Sequence, residues 1–130
     1  MLIMKPKIFV FRVSNGCNEG PFRNRNCHSI RDKIFHDRDK FSDMDLYPGP
    51  LTDGIVHRSD KHISALPNAC ALFYWFGEDL DLLHKKNFLV WRVEVKKFLP
   101  GKSGLQVMYH KKRDKVGRMQ LVPIKYNTMK

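Results

Sequence analysis

Cysteine is scarce: Cys17, Cys27 and Cys70 are an odd number, with no Cys-x-x-Cys pair among them. This excludes a disulfide-framework domain and implies reduced thiols. Long apolar runs are missing too, and nothing approaches the roughly 18–20 residues of a membrane-spanning helix. The apolar N-terminus is broken by Lys5, Pro6 and Lys7 and lacks the order of a secretory signal. It reads as the lead-in to a strand, so the expected compartment is the cytoplasm, away from membranes. Internal repeats and low-complexity tracts are absent. Acidic residues are lacking in one region: residues 96–130 hold ten Lys/Arg and only Asp114 against them.

What is present argues for a folded domain. A hydrophobic fraction of 42% with nine Phe in 130 residues is inconsistent with disorder, and the length suits a single domain, 1–130. The net charge of +11 is spread unevenly. Residues 1–36 are basic, with seven Lys/Arg to two Asp/Glu, whereas 37–81 are acidic, with four to nine. The chain is bipolar along its length. Its basic C-terminal part suits nucleic acid, an acidic protein surface or a phosphate-bearing ligand.

The strand signals lie at the two ends. "KIFVFRV", 7–13, is rich in β-branched and aromatic residues. Alternation puts Phe9, Phe11 and Val13 on one face and Ile8, Val10 and Arg12 on the other. "FLVWRVEVKKF", 88–98, is a second strand, with Leu89, Trp91, Val93 and Val95 on one face and Arg92 and Glu94 on the other. "LQVMYH", 105–110, and "RMQLVPI", 118–124, read as a third and a fourth. The segment 96–124 is thus a basic C-terminal hairpin. The best helix is 67–87, with Asn68 as N-cap, Gly77 weakening its middle and Asn87 as its stop. A further helix fits the region of Ser29 to Phe41. Residues 37–65, rich in Asp, Pro and Gly, read as a long irregular segment. The fold class is α+β: a small, mostly antiparallel sheet with one or two packed helices.

Several chemistries can be weighed on spacing. Gly101-Lys102-Ser103 ends like a phosphate-binding P-loop, but the glycine needed five residues earlier is Lys96, and strands flank the segment on both sides. It reads instead as a connection between strands. His28, His36, His57 and His62 with Cys17 and Cys27 show no metal-ligand spacing, so no metal is assigned. The Cys27-His28 neighbours are no dyad by sequence adjacency, and Cys70 in a first helical turn reads as a small apolar side chain. Phe98, Tyr109 and Tyr126 interleave with Lys and Arg, a pattern compatible with nucleic-acid binding, although no helix-turn-helix, RRM or zinc-finger pattern accompanies it.

The order Phe11-Arg12-Val13, Gly20-Pro21-Phe22, Pro67-Asn68, Trp75-Phe76, Asn87-Phe88-Leu89-Val90 and Gly101 to Gln106 resembles a group of small phage and prophage accessory proteins. Asn68 stands where that group usually has Ser. The resemblance covers about two thirds of the chain, and 23–65 matches only loosely. It implies a setting of host takeover or counter-defence: a protein that binds and inhibits a host macromolecule in the host cytoplasm. The face implied for that contact is Lys96, Lys97, Lys102, Lys111, Lys112, Arg113, Lys115 and Arg118. Its partner would be a host protein or protein–nucleic acid complex.

A fainter resemblance, to ADP-ribosyltransferase folds, rests on the first strand, the capped mid-chain helix and the late strand. It implies Arg12, Asn68 and Gln106 as ligand-binding residues and NAD as the ligand. Without that resemblance no cofactor is expected. A Gln where the fold has Glu cannot act as a general base, so such a chain would hold the ligand without turning it over.

Overall fold

The computed structural model describes residues 6–14, 50–85 and 87–122. The helix expected near Ser29 to Phe41, Cys17, Cys27, His28, His36 and Tyr126 lie outside them. The expected α+β class is what the structure shows, but with two sheets rather than one. The first sheet is β1 (Ile8–Ser14), β3 (Leu89–Val95) and β6 (Gln120–Val122), with β3 in the centre and both pairings antiparallel. The second is β2 (His62–Ala65), β5 (Val107–His110) and β4 (Leu99–Pro100), with β5 in the centre, also antiparallel. Phe11 and Leu66 exchange backbone hydrogen bonds of 2.8 and 2.7 Å and so seam the two sheets together.

Strand alternation decides which neighbour each face of the first sheet meets. Pairing of Val13 with Val90 sets one face, and Val10 with Val93 sets the other. Val13 and Val90 pack with Leu72, Trp75, Phe76, Leu80 and Leu83 of the helical segment. Val10, Val93 and Val95 pack with Ala65, Val107 and Tyr109 of the second sheet. β1 and β3 therefore bury side chains on both faces, and Arg12, on the face towards the second sheet, donates from Nη1 to Ser64 O at 2.8 Å.

Three expectations are corrected in detail. The 67–87 helix is two: α1 (Ala69–Phe76) and α2 (Leu80–Lys85), joined by a 3-10 turn at Gly77–Asp79. The apolar stripe survives the break, because buried Leu72, Phe76, Leu80 and Leu83 keep helical spacing across it. The irregular segment yields a strand at its end, β2, which has polar and small residues but gains a partner in β5. The third and fourth predicted strands do not pair with each other: β5 and β6 fall in different sheets, and the hairpin partner of β5 is β4. Pro100 is tolerated because β4 is an edge strand.

Both helix-end assignments stand. Asn68 Oδ1 accepts from Ala71 N at 2.8 Å, satisfying an otherwise orphaned first-turn donor. Asn87 takes φ of 67°, and the bonds Asn87 N to His84 O and Phe88 N to Leu83 O form a Schellman-type ending.

Candidate functional site

The segment Gly101 to Gln106 is a strand connection, and a buried carboxylate organises it. Asp53 is 4% exposed. Its Oδ1 accepts from Ser103 N at 2.7 Å, and its Oδ2 from Ser103 Oγ at 2.7 Å and Gln106 Nε2 at 3.0 Å. Its backbone carbonyl accepts from Lys102 N at 2.8 Å. Trp75 Nε1 donates to Leu105 O at 2.8 Å and ties the same connection to α1. Gly101 is required by the fit: a Cβ there would lie 2.0 Å from Asp53 Oδ2. The donors that a phosphate loop would offer to a ligand are here turned onto a carboxylate of the protein itself.

The three residues implied as a ligand site have their backbones along one seam. Arg12 follows Phe11, which pairs with Leu66; Asn68 lies two residues beyond Leu66; Gln106 precedes Val107, which pairs with Ala65. Their side chains serve separate tasks. Arg12 bonds Ser64 O and its charge reaches Tyr109, Asn68 caps α1, and Gln106, itself buried, bonds Asp53. Burial holds the Tyr109 phenol above its ordinary range, with Arg12 pulling the other way.

The basic residues gather mainly around the turn after β5. That turn is stapled reciprocally. His110 Nδ1 accepts from Arg113 N at 2.9 Å and Lys112 N at 3.3 Å, while Asp114 Oδ2 accepts from His110 N at 2.9 Å. Asp114 N donates back to His110 O, and Asp114 O accepts from Lys96 N at 2.7 Å, docking the turn on the end of β3. Lys111 N donates to Lys61 O at 3.0 Å, which adds Lys61 to the group. Lys61, Lys96, Lys97, Lys111, Lys112, Arg113 and Arg118 are exposed, and Lys115 is half-buried beside Val95. The acid among them, Asp114, is 3% exposed and faces inward, with Arg113 Nε 3.9 Å from its Oδ1. Lys102 is exposed at the opposite end of β5, where its side chain lies over Gly54.

Beside the turn is an open pocket of about 440 Å³, lined by Val56, Arg58, Ser59, Asp60, His62 and Met108. His62 is buried, stands opposite His110 across the β2–β5 ladder, and meets it edge-on with ring centroids 5.3 Å apart. His62 Nδ1 accepts from Ser59 N at 3.0 Å, with Ser59 Oγ at 2.9 Å. Arg58 is braced by a bond from Nη1 to Ile55 O. Partial desolvation, then the charge of Arg113 and the neighbouring His62, holds the His110 pKa below 6.5. His57 is exposed on the loop. Among the described residues no group of three or more His, Cys, Asp or Glu is placed to hold a metal ion.

Reading along the chain singles out the basic residues of 96–118, but it joins neither Asp53 to the Gly101–Gln106 connection nor Arg58, Lys61 and His62 to the turn at His110. The cross-strand register that joins 58–62 to 110–113 is not encoded in either segment alone. A family model described as Bacteriophage T4 Y00F protein matches residues 4–122. No curated protein and no solved structure matches. The likeness to ADP-ribosyltransferase folds therefore rests on the sequence alone.

Proposed function

The chain belongs to the bacteriophage T4 Y00F protein family, and from that premise we propose that it is a phage accessory protein that binds and inhibits a host macromolecule through its basic face. The observation that carries this reading is the stapled turn at His110 to Lys115. It holds Lys111, Lys112 and Arg113 outward beside Lys61 and Lys96, while the acid between them is turned inward to brace the backbone. A preorganised array of like charges loses little side-chain and loop freedom on meeting an opposite array, and it steers encounter electrostatically.

The aromatics in the basic segment narrow the mode of contact. Tyr109 is buried and Phe98 packs against the inter-sheet core, so neither lies open for stacking on bases. What the face offers is point charges suited to phosphates or carboxylates. The mechanism is occlusion: the cations take phosphate or acidic contacts that the host partner needs, in the host cytoplasm. An NAD site at Arg12 and Gln106 is the weaker reading, because a ligand there would have to displace the bonds to Ser64 O and Asp53.

The test is capture from host lysate by the tagged protein, with Lys111→Glu, Lys112→Glu and Arg113→Glu combined as the comparison. The wild type is expected to retain a partner that elutes with rising salt, and to lower that partner's activity when titrated into it. The triple variant, with unchanged melting temperature, should lose at least tenfold in retention. Equal retention by the two proteins would overturn the reading. A rise in melting temperature with NAD, abolished by Arg12→Ala, would favour the nucleotide site instead.

A further inference from the structure

The basic face contains a donor that its cations do not explain. A backbone N–H only donates, so Ser59 N pointing at His62 Nδ1 means that Nδ1 carries no proton. The ring proton of His62 is then on Nε2, and no protein group among the described residues bonds that atom. His62 is 94% buried by its 6% residual exposure, yet it lines the open pocket. The same argument applies to His110, whose Nδ1 accepts from Arg113 N and Lys112 N. Both imidazoles thus keep their accepting nitrogens for the backbone and retain their N–H edges as donors.

The surroundings select the charge of what those donors meet. Arg58 lines the pocket, Lys61 follows Asp60, and Lys111 is bonded to Lys61 through the backbone. Asp60 lines the pocket as well and balances Arg58 within the lining, while exposed Lys61, Lys111, Lys112 and Arg113 make the adjoining surface positive. Val56 and Met108 are the apolar part of the lining. Imidazole N–H donors, a guanidinium and flanking ammonium groups are the donor set of a phosphate oxygen site.

We infer that this pocket binds a phosphate group, with His62 Nε2–H and Arg58 as direct donors and Lys61 and Lys111 at the rim. The inference rests on the proposed role of the basic face and specifies its chemistry. The group is either a phosphodiester of a nucleic-acid backbone or a free phosphate ester, and the two sources separate by experiment.

The experiment is NMR observation of the histidine ring nitrogens of the full chain, titrated with inorganic phosphate and, separately, with a short DNA duplex. Sodium chloride of matched ionic strength is the control. Phosphate is expected to shift His62 Nε2 saturably, while chloride leaves it in place. His62→Asn keeps an acceptor for Ser59 N but lacks the Nε2 donor, and should weaken phosphate binding at least tenfold. Arg58→Gln, an exposed change, should do the same and guards against misfolding of the first variant. A duplex that shifts the same signals identifies the phosphodiester source; a duplex that does not, beside phosphate that does, identifies a free phosphate ester. If phosphate moves no His62 signal, or if both variants bind it as the wild type does, the pocket assignment is overturned. In that event, loss of partner by the Lys111, Lys112 and Arg113 reversal would still uphold the basic-face reading, whereas retention would sink both.

Discussion

Asp53 shows most directly how one residue converts a loop into a fixed object. An ionised carboxylate out of water is costly unless its lone pairs are taken, and here Ser103 N, Ser103 Oγ and Gln106 Nε2 take them. Removing it leaves those donors facing an apolar void. Asp53→Ala is expected to cost about 2–4 kcal/mol in urea unfolding, within the range for stripping partners from buried charged hydrogen bonds. Gly101→Ala acts on the same contact from the other side. Its Cβ would meet the carboxylate at 2.0 Å, so the connection must move, at a cost of about 1–3 kcal/mol. A melting temperature unchanged by both substitutions would show that the contact is not structural. Sequence reading singles out Gln106 but cannot see its partner, because Asp53 is 53 positions away along the chain.

At the scale of elements, helix ends were legible and strand partners were not. A cap is a contract between residues three apart, so Asn68 and Ala71 can be read together from sequence. The turn after β5 is local too, but its staple uses a histidine as the cap acceptor and an aspartate four residues on, a combination outside the usual cap residues. It carries a pH dependence of definite sign. The His110 pKa is lowered in the folded protein, so on acidification through about 6.5 the unfolded chain takes up its proton first. Stability from this group is complete above that pH and declines as pH falls below it, until the folded state also protonates. Desolvation first, then Arg113, His62 and Lys61, oppose the proton, and Asp114 favours it. His110→Asn retains an acceptor near the Nδ1 position and cannot titrate. The melting temperature of that variant should fall less between pH about 7.5 and about 5 than that of the wild type. Parallel profiles would remove His110 from the account.

For the whole molecule, charge is the governing quantity. A formal net charge of +11 in 130 residues makes the compact state repel itself. Exposed Lys61, Lys96, Lys111, Lys112 and Arg113 converge at one end of the two-sheet structure, so part of that repulsion is local. Raising salt screens exposed charges over about 10 Å at ~0.1 M. The melting temperature of the free protein is therefore expected to rise with sodium chloride, while the affinity of the basic face for its partner falls. A melting temperature that drops with added salt would mean that attractive ion pairs outweigh the repulsion. The opposed responses follow from one charge distribution: the array that weakens the isolated fold is the array proposed to bind.

By itself, the sequence determined what depends on near neighbours and on composition: the α+β class, the strand read at 7–13 and observed at Ile8–Ser14, the caps at Asn68 and Asn87, and the basic C-terminal segment. These follow from periodicity, propensity and charge, which act within a few residues. Only the tertiary structure decided that the strands divide into two sheets seamed at Phe11 and Leu66, that Asp53 anchors the Gly101–Gln106 connection, and that His62 faces His110 beside Arg58. Those contacts join positions some fifty residues apart, and their selection depends on burying both faces of β1 and β3 at once. That is a property of the assembled core and not of any one segment.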